Sequence, residues 1–302
     1  MPEVMVREIV SYDPASGEEL GRFVSACPEE VGEALSRARE TFADWSRTDH
    51  AVRRRLIMRA REVILESLDE IAELISRETG KPAVEAMAME VAPVLDLMQH
   101  FARRAEKLLR PRRVGIGMYG LVGRSSRVVY RPLGVIGVIP AWNYPFSIPL
   151  GETVMAVLAG NSVVLKPSEL TPLVGLKIGE IFQRAGAPRG LVNVVVGDGE
   201  TGAALVEAGP DKIMFTGSVA TGKKILRAAA EKMTPVVLEL GGKDPMIVLE
   251  DADLELAAGG AVWAAFCNMG QSCAAVERVY VHHTVADKFT RMVIDNALAL
   301  KQ

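Results

Sequence analysis

From Gly134 to Leu240 the sequence alternates between short apolar runs and longer segments of helical spacing, and this alternation constrains the fold more than any other feature. The runs Val135–Ile139, Val163–Lys166, Val192–Val196, Lys212–Phe215 and Val236–Leu240 are rich in β-branched residues and carry little polar alternation. Strands of that kind are buried on both faces, as in a parallel sheet covered by helices. Helical segments near Ile148–Leu158, Leu173–Arg184, Thr201–Glu207 and Ala220–Ala230 separate them. Regular βαβ alternation predicts an α/β fold with a doubly wound, Rossmann-like parallel sheet. A ligand then lies beyond the carboxyl ends of the strands. That rule selects Pro140–Asn143, Lys166–Glu169, Gly197–Gly202, Thr216–Gly222 and Glu239–Gly242 before any motif is consulted.

The 302 residues are enough for about two domains. Ahead of the sheet, Val31, Ala34, Leu35, Ala38, Phe42 and Trp45 repeat at helical spacing. Further helices are expected over 51–79, stopping at Gly80, and over 84–109, with a kink at Pro93. Arg53, Arg54 and Arg55 read as a solvated helix face. Residues 112–131 read as a β-hairpin with a Gly123-Arg-Ser-Ser turn. After Gly242 the pattern restarts with strands at Met246–Leu249 and Arg278–His282 and helices near Leu254–Phe266 and Ala286–Leu300. That is the start of a second α/β domain, too thin to bury much core.

Composition excludes several function classes. Hydrophobic residues make up 49% of the chain, which rules out low-hydrophobicity disorder. Lys and Arg number 35 against 38 Asp and Glu, a formal charge of −3, so there is no electrostatic case for a nucleic-acid partner. Cys27, Cys267 and Cys273 form no Cys-x-x-Cys pair, His50 and His100 have no ligand partners nearby, and the adjacent His282 and His283 point to opposite faces of a strand in a structural or surface role, so no metal is expected. The stretch Leu133–Leu165 is apolar but interrupted by Pro140, Asn143, Pro145, Pro149 and Glu152, which argues against a membrane span. Met1–Val10 lacks the apolar core of a signal peptide. The expectation is a cytoplasmic protein.

Chemistry-bearing residues cluster at the selected strand ends. Gly197-Asp-Gly-Glu-Thr-Gly202 formally fits G-x-G-x-x-G, although a tight strand-to-helix turn wants glycines anyway. Thr216-Gly-Ser-Val-Ala-Thr-Gly222 is a second such turn, whose free N–H groups suit a pyrophosphate. In Lys166-Pro-Ser-Glu169, the Lys can hold ribose hydroxyls or phosphate, and the Glu can accept from an adenosine 2′-hydroxyl while repelling a 2′-phosphate, which favours NAD over NADP. Cys273, in the polar loop Asn268-Met-Gly-Gln-Ser-Cys273, is a candidate nucleophile, while Cys267 reads as core. Glu239 ends an apolar strand, so burial and a raised pKa are expected of it, as suits a general base. Asn143 offers an amide N–H for an oxyanion. For Glu239 and Asn143 the plain alternative is a turn or cap residue.

Taken together, Pro140-Ala-Trp-Asn-Tyr-Pro145, Lys166-Pro-Ser-Glu169, Phe215-Thr-Gly-Ser-Val-Ala-Thr-Gly222, Leu238-Glu-Leu-Gly-Gly-Lys243 and Gly270-Gln-Ser-Cys-Ala274 resemble the motifs of the aldehyde dehydrogenase superfamily, in its order and at about its spacing. The resemblance implies an NAD-dependent enzyme of the hydrolytic type that oxidises an aldehyde to a carboxylic acid. Cys273 would be the nucleophile, Asn143 and the Cys273 N–H the oxyanion donors, and Glu239 the base that activates water against the thioester. Trp142, Lys166, Ser168, Glu169, Gly199, Phe215, Gly217, Ser218, Thr221 and Leu240 would line the NAD site. The expected organisation is a leading helical part over 1–111, an oligomerisation hairpin over 112–131, the NAD-binding domain over 132–240 and an incomplete catalytic domain over 241–302. A homodimer or homotetramer is implied for the full-length form. Relatives continue for roughly a domain's length past the nucleophile loop, so the chain reads as truncated. Many relatives carry Lys nine residues after the catalytic Asn, where this chain has Glu152. Two other readings stand beside the first: a non-catalytic relative that binds NAD or pairs with an intact homologue, and a coenzyme A-acylating semialdehyde dehydrogenase.

Overall fold

The computed structural model describes residues 7–301. The chain forms two compact units, Met1–Glu239 and Leu240–Gln302.

The first unit opens on a ribbon that the sequence reading left out. Strands β1 (Glu8–Tyr12) and β2 (Glu19–Val24) pair antiparallel, with Ile9 opposite Phe23. Their turn is set by Asp13, whose Oδ1 accepts the Ala15 N–H at 2.8 Å, a local bond typical of Asp before a turn. Helices follow at Pro28–Trp45, His50–Leu65 and Leu68–Thr79. The single helix expected over 51–79 is thus two. The break falls at Ser67, followed by Asp69 and Glu70, which is the chemistry of a new helix start. Gly80, at φ 78°, ends the third helix. A π-helical turn at Ala86–Val91 leads into the helix Ala92–Leu109, and Pro93 sits in its first turn, where its missing N–H costs nothing. Strands β3 (Arg112–Val114) and β4 (Ser126–Val128) pair antiparallel, with Met118 and Leu121 exposed between them.

The sheet that organises the unit has five strands: β5 (Val135–Ile139), β6 (Ser162–Leu165), β7 (Val192–Val194), β8 (Lys212–Gly217) and β9 (Val236–Leu240). Their order is β7-β6-β5-β8-β9, and the pairs β5/β6, β6/β7 and β5/β8 are parallel. The chain builds outward from β5 to β7, then returns to place β8 on the other side of β5. Right-handed crossovers put Ser147–Leu158 and Pro172–Arg184 on one face and Gly199–Ala208 and Val219–Ala230 on the other. The reversal between β5 and β8 is the switch point at which such sheets open a crevice. Every residue of β5 is buried, as a central parallel strand requires, whereas β9 is the edge.

The helices under the sheet share its core, with Ile57, Ile64, Met98, Phe146, Leu150 and Leu165 in one cluster. Trp45 Nε1 donates to the Val157 carbonyl at 3.0 Å, which fixes the first helix to Ser147–Leu158. Arg53 corrects the solvated-face reading. It is 5% exposed and donates to the carbonyls of Ser46 (2.9 Å) and Leu158 (3.4 Å) and to Thr48 Oγ1 (3.1 Å). Its guanidinium lies against Gly160, at φ 92°, where a Cβ would come within 2.5 Å of Nη1. Arg54 and Arg55 are exposed as expected.

In the second unit, β10 (Asp244–Val248) and β11 (Val276–Val281) pair in parallel and Leu254–Phe266 connects them. Val248, Ala258, Ala261 and Phe289, from the last helix Ala286–Leu298, form its small core. His282 falls one residue past β11, not on it, and its ring lies 4.4 Å from that of His283. No helix among the described residues is long and apolar enough to cross a membrane.

Candidate active site

In the first unit, the sequence-selected groups gather at the carboxyl ends of β5, β6, β8 and β9. Asn143 stands in the loop after β5, half-buried, next to the more exposed Trp142. After β6, Lys166 is 4% exposed and its Nζ lies 3.3 Å from Oε2 of Glu169, which is itself exposed. Lys166 is therefore not a surface lysine. Burial lowers its pKa, and the carboxylates of Glu169 and Asp198 oppose the shift. Ser168 Oγ accepts the Leu170 N–H at 3.3 Å, turning the backbone at this strand end.

The two glycine turns differ in what they offer an anion. At Gly197–Gly202 the helix start is already occupied by a carboxylate. Asp198 Oδ1 accepts the Glu200 N–H at 2.9 Å, and Asp198 pairs with Arg7 at 2.8 Å. Gly197 serves the turn itself, since a Cβ there would lie 2.1 Å from Thr201 Oγ1. Gly199 borders open space. At Thr216–Gly222 the first turn of the helix carries no acidic residue. Phe215 is buried, and a Cβ on Gly217 would fall 2.5 Å from its ring. Ser218 caps the helix Val219–Ala230 by accepting the Thr221 N–H at 3.1 Å. This exposed helix start, beside the switch point, suits a phosphate better than the formal G-x-G-x-x-G does.

Glu239 departs from expectation. It is exposed, because β9 is the edge of the sheet and one flank of the strand is open. Glu152, by contrast, is buried, 7% exposed on the helix Ser147–Leu158. Its Oε2 is shut from solvent and meets no hydrogen-bond partner among the described residues. Burial, and then the charge of Glu239, raise its pKa to about 7. The sequence marks Glu152 as a departure from the motif and as a second carboxylate near Glu239, and the Glu239 charge does act on it. Sequence reasoning missed Lys81 and Glu90, both buried beneath the Asn143 loop. The one available signal for them was a Lys directly after the helix-ending Gly80.

The second unit holds Cys267 and Cys273, while the half-buried Cys27 lies in the first. Cys273 is exposed and Cys267 is buried. Between them the backbone is left-handed at three successive residues, Asn268 (φ 51°), Met269 (φ 58°) and Gly270 (φ 72°). Two non-glycine residues in that region store strain, and such strain gathers where a loop presents a functional group. Asn268 supports the bend by donating Nδ2–H to the Gln271 carbonyl at 3.1 Å. No metal-binding cluster is found among the described residues.

These features define a class: a doubly wound α/β chain followed by a small α/β unit with an exposed cysteine on a strained loop. Within that class the chain belongs to the aldehyde dehydrogenase family, which it matches over residues 3–302. It is 40% identical over 293 residues to a 4,4′-diapolycopene aldehyde oxidase of Methylomonas sp, covering 97% of this chain and 55% of that protein. PnpE from Pseudomonas sp. WBC-3, whose structure is also solved in complex with nicotinamide adenine dinucleotide, superimposes with a TM-score of 0.92 at 35% identity, covering 98% of this chain and 60% of PnpE. An NADP-dependent enzyme of E. coli superimposes with a TM-score of 0.90 at 31% identity, covering 96% and 60%. The chain thus spans little more than half the length of these relatives.

Proposed function

We propose that this chain carries the cofactor site and nucleophile of an NAD-dependent aldehyde dehydrogenase that releases a carboxylic acid. The observation that carries the reading is family membership across residues 3–302, and the motif resemblance around Asn143, Glu239 and Cys273 supports it. The Cys273 thiolate adds to the aldehyde carbon, and the carbonyl oxygen becomes an oxyanion that accepts from the Asn143 amide and the Cys273 N–H. NAD, when bound, supplies the hydride acceptor that turns the hemithioacetal into a thioester. Glu239 then takes a proton from water, whose oxygen attacks the thioester carbon and expels the cysteine sulfur. The balance is aldehyde, NAD⁺ and water to acid, NADH and a proton.

The residues present fit the cofactor. Gly217 and Ser218 open, for the pyrophosphate, a helix whose first turn carries no acidic residue. Lys166 and Glu169 form a paired donor and acceptor for the adenosine ribose, and the exposed Glu169 carboxylate repels a 2′-phosphate. Phe215, Trp142, Ser168, Thr221, Gly199 and Leu240 are assigned to the walls of the same site. We assign self-association to the 112–131 hairpin, whose Met118, Tyr119, Leu121 and Val122 are exposed.

The test is aldehyde-dependent NADH formation by the purified 302-residue chain and by Cys273→Ala. The expected result is turnover that the substitution abolishes. No signal from the unsubstituted chain across a panel of aldehydes, or equal rates from both, rejects the reading; a strict need for coenzyme A replaces hydrolysis with thiolysis.

A further inference from the structure

The loop that carries Asn143 is fastened from beneath by two charged side chains to which the reaction above gives no part. Lys81 and Glu90 have no side-chain exposure, and Lys81 Nζ lies 2.5 Å from Glu90 Oε1. Each also holds the loop. Lys81 Nζ donates to the carbonyl of Asn143 itself at 2.8 Å, and it stands 4.5 Å from the centroid of the Tyr144 ring. Glu90 Oε2 accepts the N–H of Phe146 at 2.8 Å and of Ser147 at 3.2 Å. Those amides begin the helix Ser147–Leu158, so the carboxylate satisfies donors that the helix cannot, at its positive end.

A buried ion pair is a poor device for stability alone, since apolar side chains of similar volume fill the same space without the desolvation cost. Its presence calls for something only charge and hydrogen bonds provide. Here each partner also bonds the backbone between 143 and 147. Glu90 also rides on the π-helical turn Ala86–Val91, a local irregularity that aims it and that recurs at functional sites.

We infer that Lys81 and Glu90 are positioning residues for Asn143: their ion pair locks the 143–147 backbone so that the Asn143 amide is held fixed at the end of β5. The inference rests on the reading of Asn143 as an oxyanion donor. It requires no contact between the pair and substrate or cofactor.

The test compares the full chain with the apolar double variant Lys81→Met/Glu90→Leu and with Glu90→Gln, which keeps the shape and loses the charge. The first readout is hydrogen exchange. In both variants the Phe146 and Ser147 amides should exchange at least about tenfold faster, the factor that loss of a charge-assisted hydrogen bond brings, while β5 and β6 keep their rates. The second readout is kinetic. Loss of a fixed oxyanion donor lowers kcat on the order of a hundredfold, and the dissociation constant for NAD should stay within about twofold. If the unsubstituted chain fails to turn over, the dehydrogenase reading falls and the exchange readout still decides the positioning role. A folded variant with unchanged exchange at Phe146 and Ser147 overturns the inference, as does NAD affinity falling in step with kcat. Glu90→Gln carries both readouts should the double variant not fold.

Discussion

Glu152→Gln should change how stability depends on pH, and by an amount that follows from the burial of one carboxyl. The folded pKa of Glu152 is about 7 against an ordinary 4.5. Below pH 4.5 the carboxyl is protonated in the folded and unfolded states alike, and its contribution is fully present. As pH rises from 4.5 to 7 the unfolded chain releases the proton while the folded chain retains it, so stability falls; above 7 it is level. A shift of about 2.5 units corresponds to about 3 kcal/mol lost across that window. Little screening discount applies, because the side chain is 7% exposed. Glutamine cannot titrate, so the stability of Glu152→Gln relative to the parent should improve by about 3 kcal/mol between about pH 4.5 and about pH 8. Urea unfolding at a series of pH values, followed by circular dichroism, measures the difference directly. Glu239→Gln should shorten the window from its upper end without closing it, since burial, not the Glu239 charge, is the larger cause. Parent and Glu152→Gln curves that run parallel across the whole range would refute the argument.

The other expectations concern single features. Arg53→Ala should cost about 2–4 kcal/mol, because it removes a buried hub and leaves several carbonyls unsatisfied, while Arg54→Ala should fall within about 0.5 kcal/mol of the parent; equal effects in thermal unfolding would return Arg53 to the surface. Gly217→Ala should destabilise by about 1–3 kcal/mol, since its Cβ is driven into the Phe215 ring, and unchanged unfolding would show that the ring yields freely. Iodoacetamide near neutral pH should label exposed Cys273 ahead of buried Cys267, and mass spectrometry finding the reverse order would remove the nucleophile assignment. Glu169→Ser should narrow the preference for NAD over NADP by about tenfold, and a parent chain that binds NADP more tightly at the outset would sink that assignment.

What could be read from the sequence divides along a physical line. The five strands and their crossover helices were legible because continuous β-branched runs and helical spacing are local signals. The strand-end rule selects Asn143, Lys166, Glu169 and Gly217, and each stands at or just past the end of its strand. The β1/β2 ribbon was passed over because its strands are short and half polar, so their alternation is weak, and only the Asp13 turn marks them. Glu239 misled for a related reason: an apolar run reports that a strand is in a sheet, not whether it lies at the centre or the edge. Arg53 misled because three consecutive arginines look alike in sequence, although 3.6 residues per turn sends only one of them inward. Glu90 lay furthest from reach. Its partners at 146 and 147 are 56 and 57 residues away, and nothing local marks a glutamate in a helical stretch as buried. Buried charge is legible only once its long-range partners are known. Pattern therefore passes over the residues that hold the patterned ones in place, and the Asn143 loop is held by two side chains outside its motif.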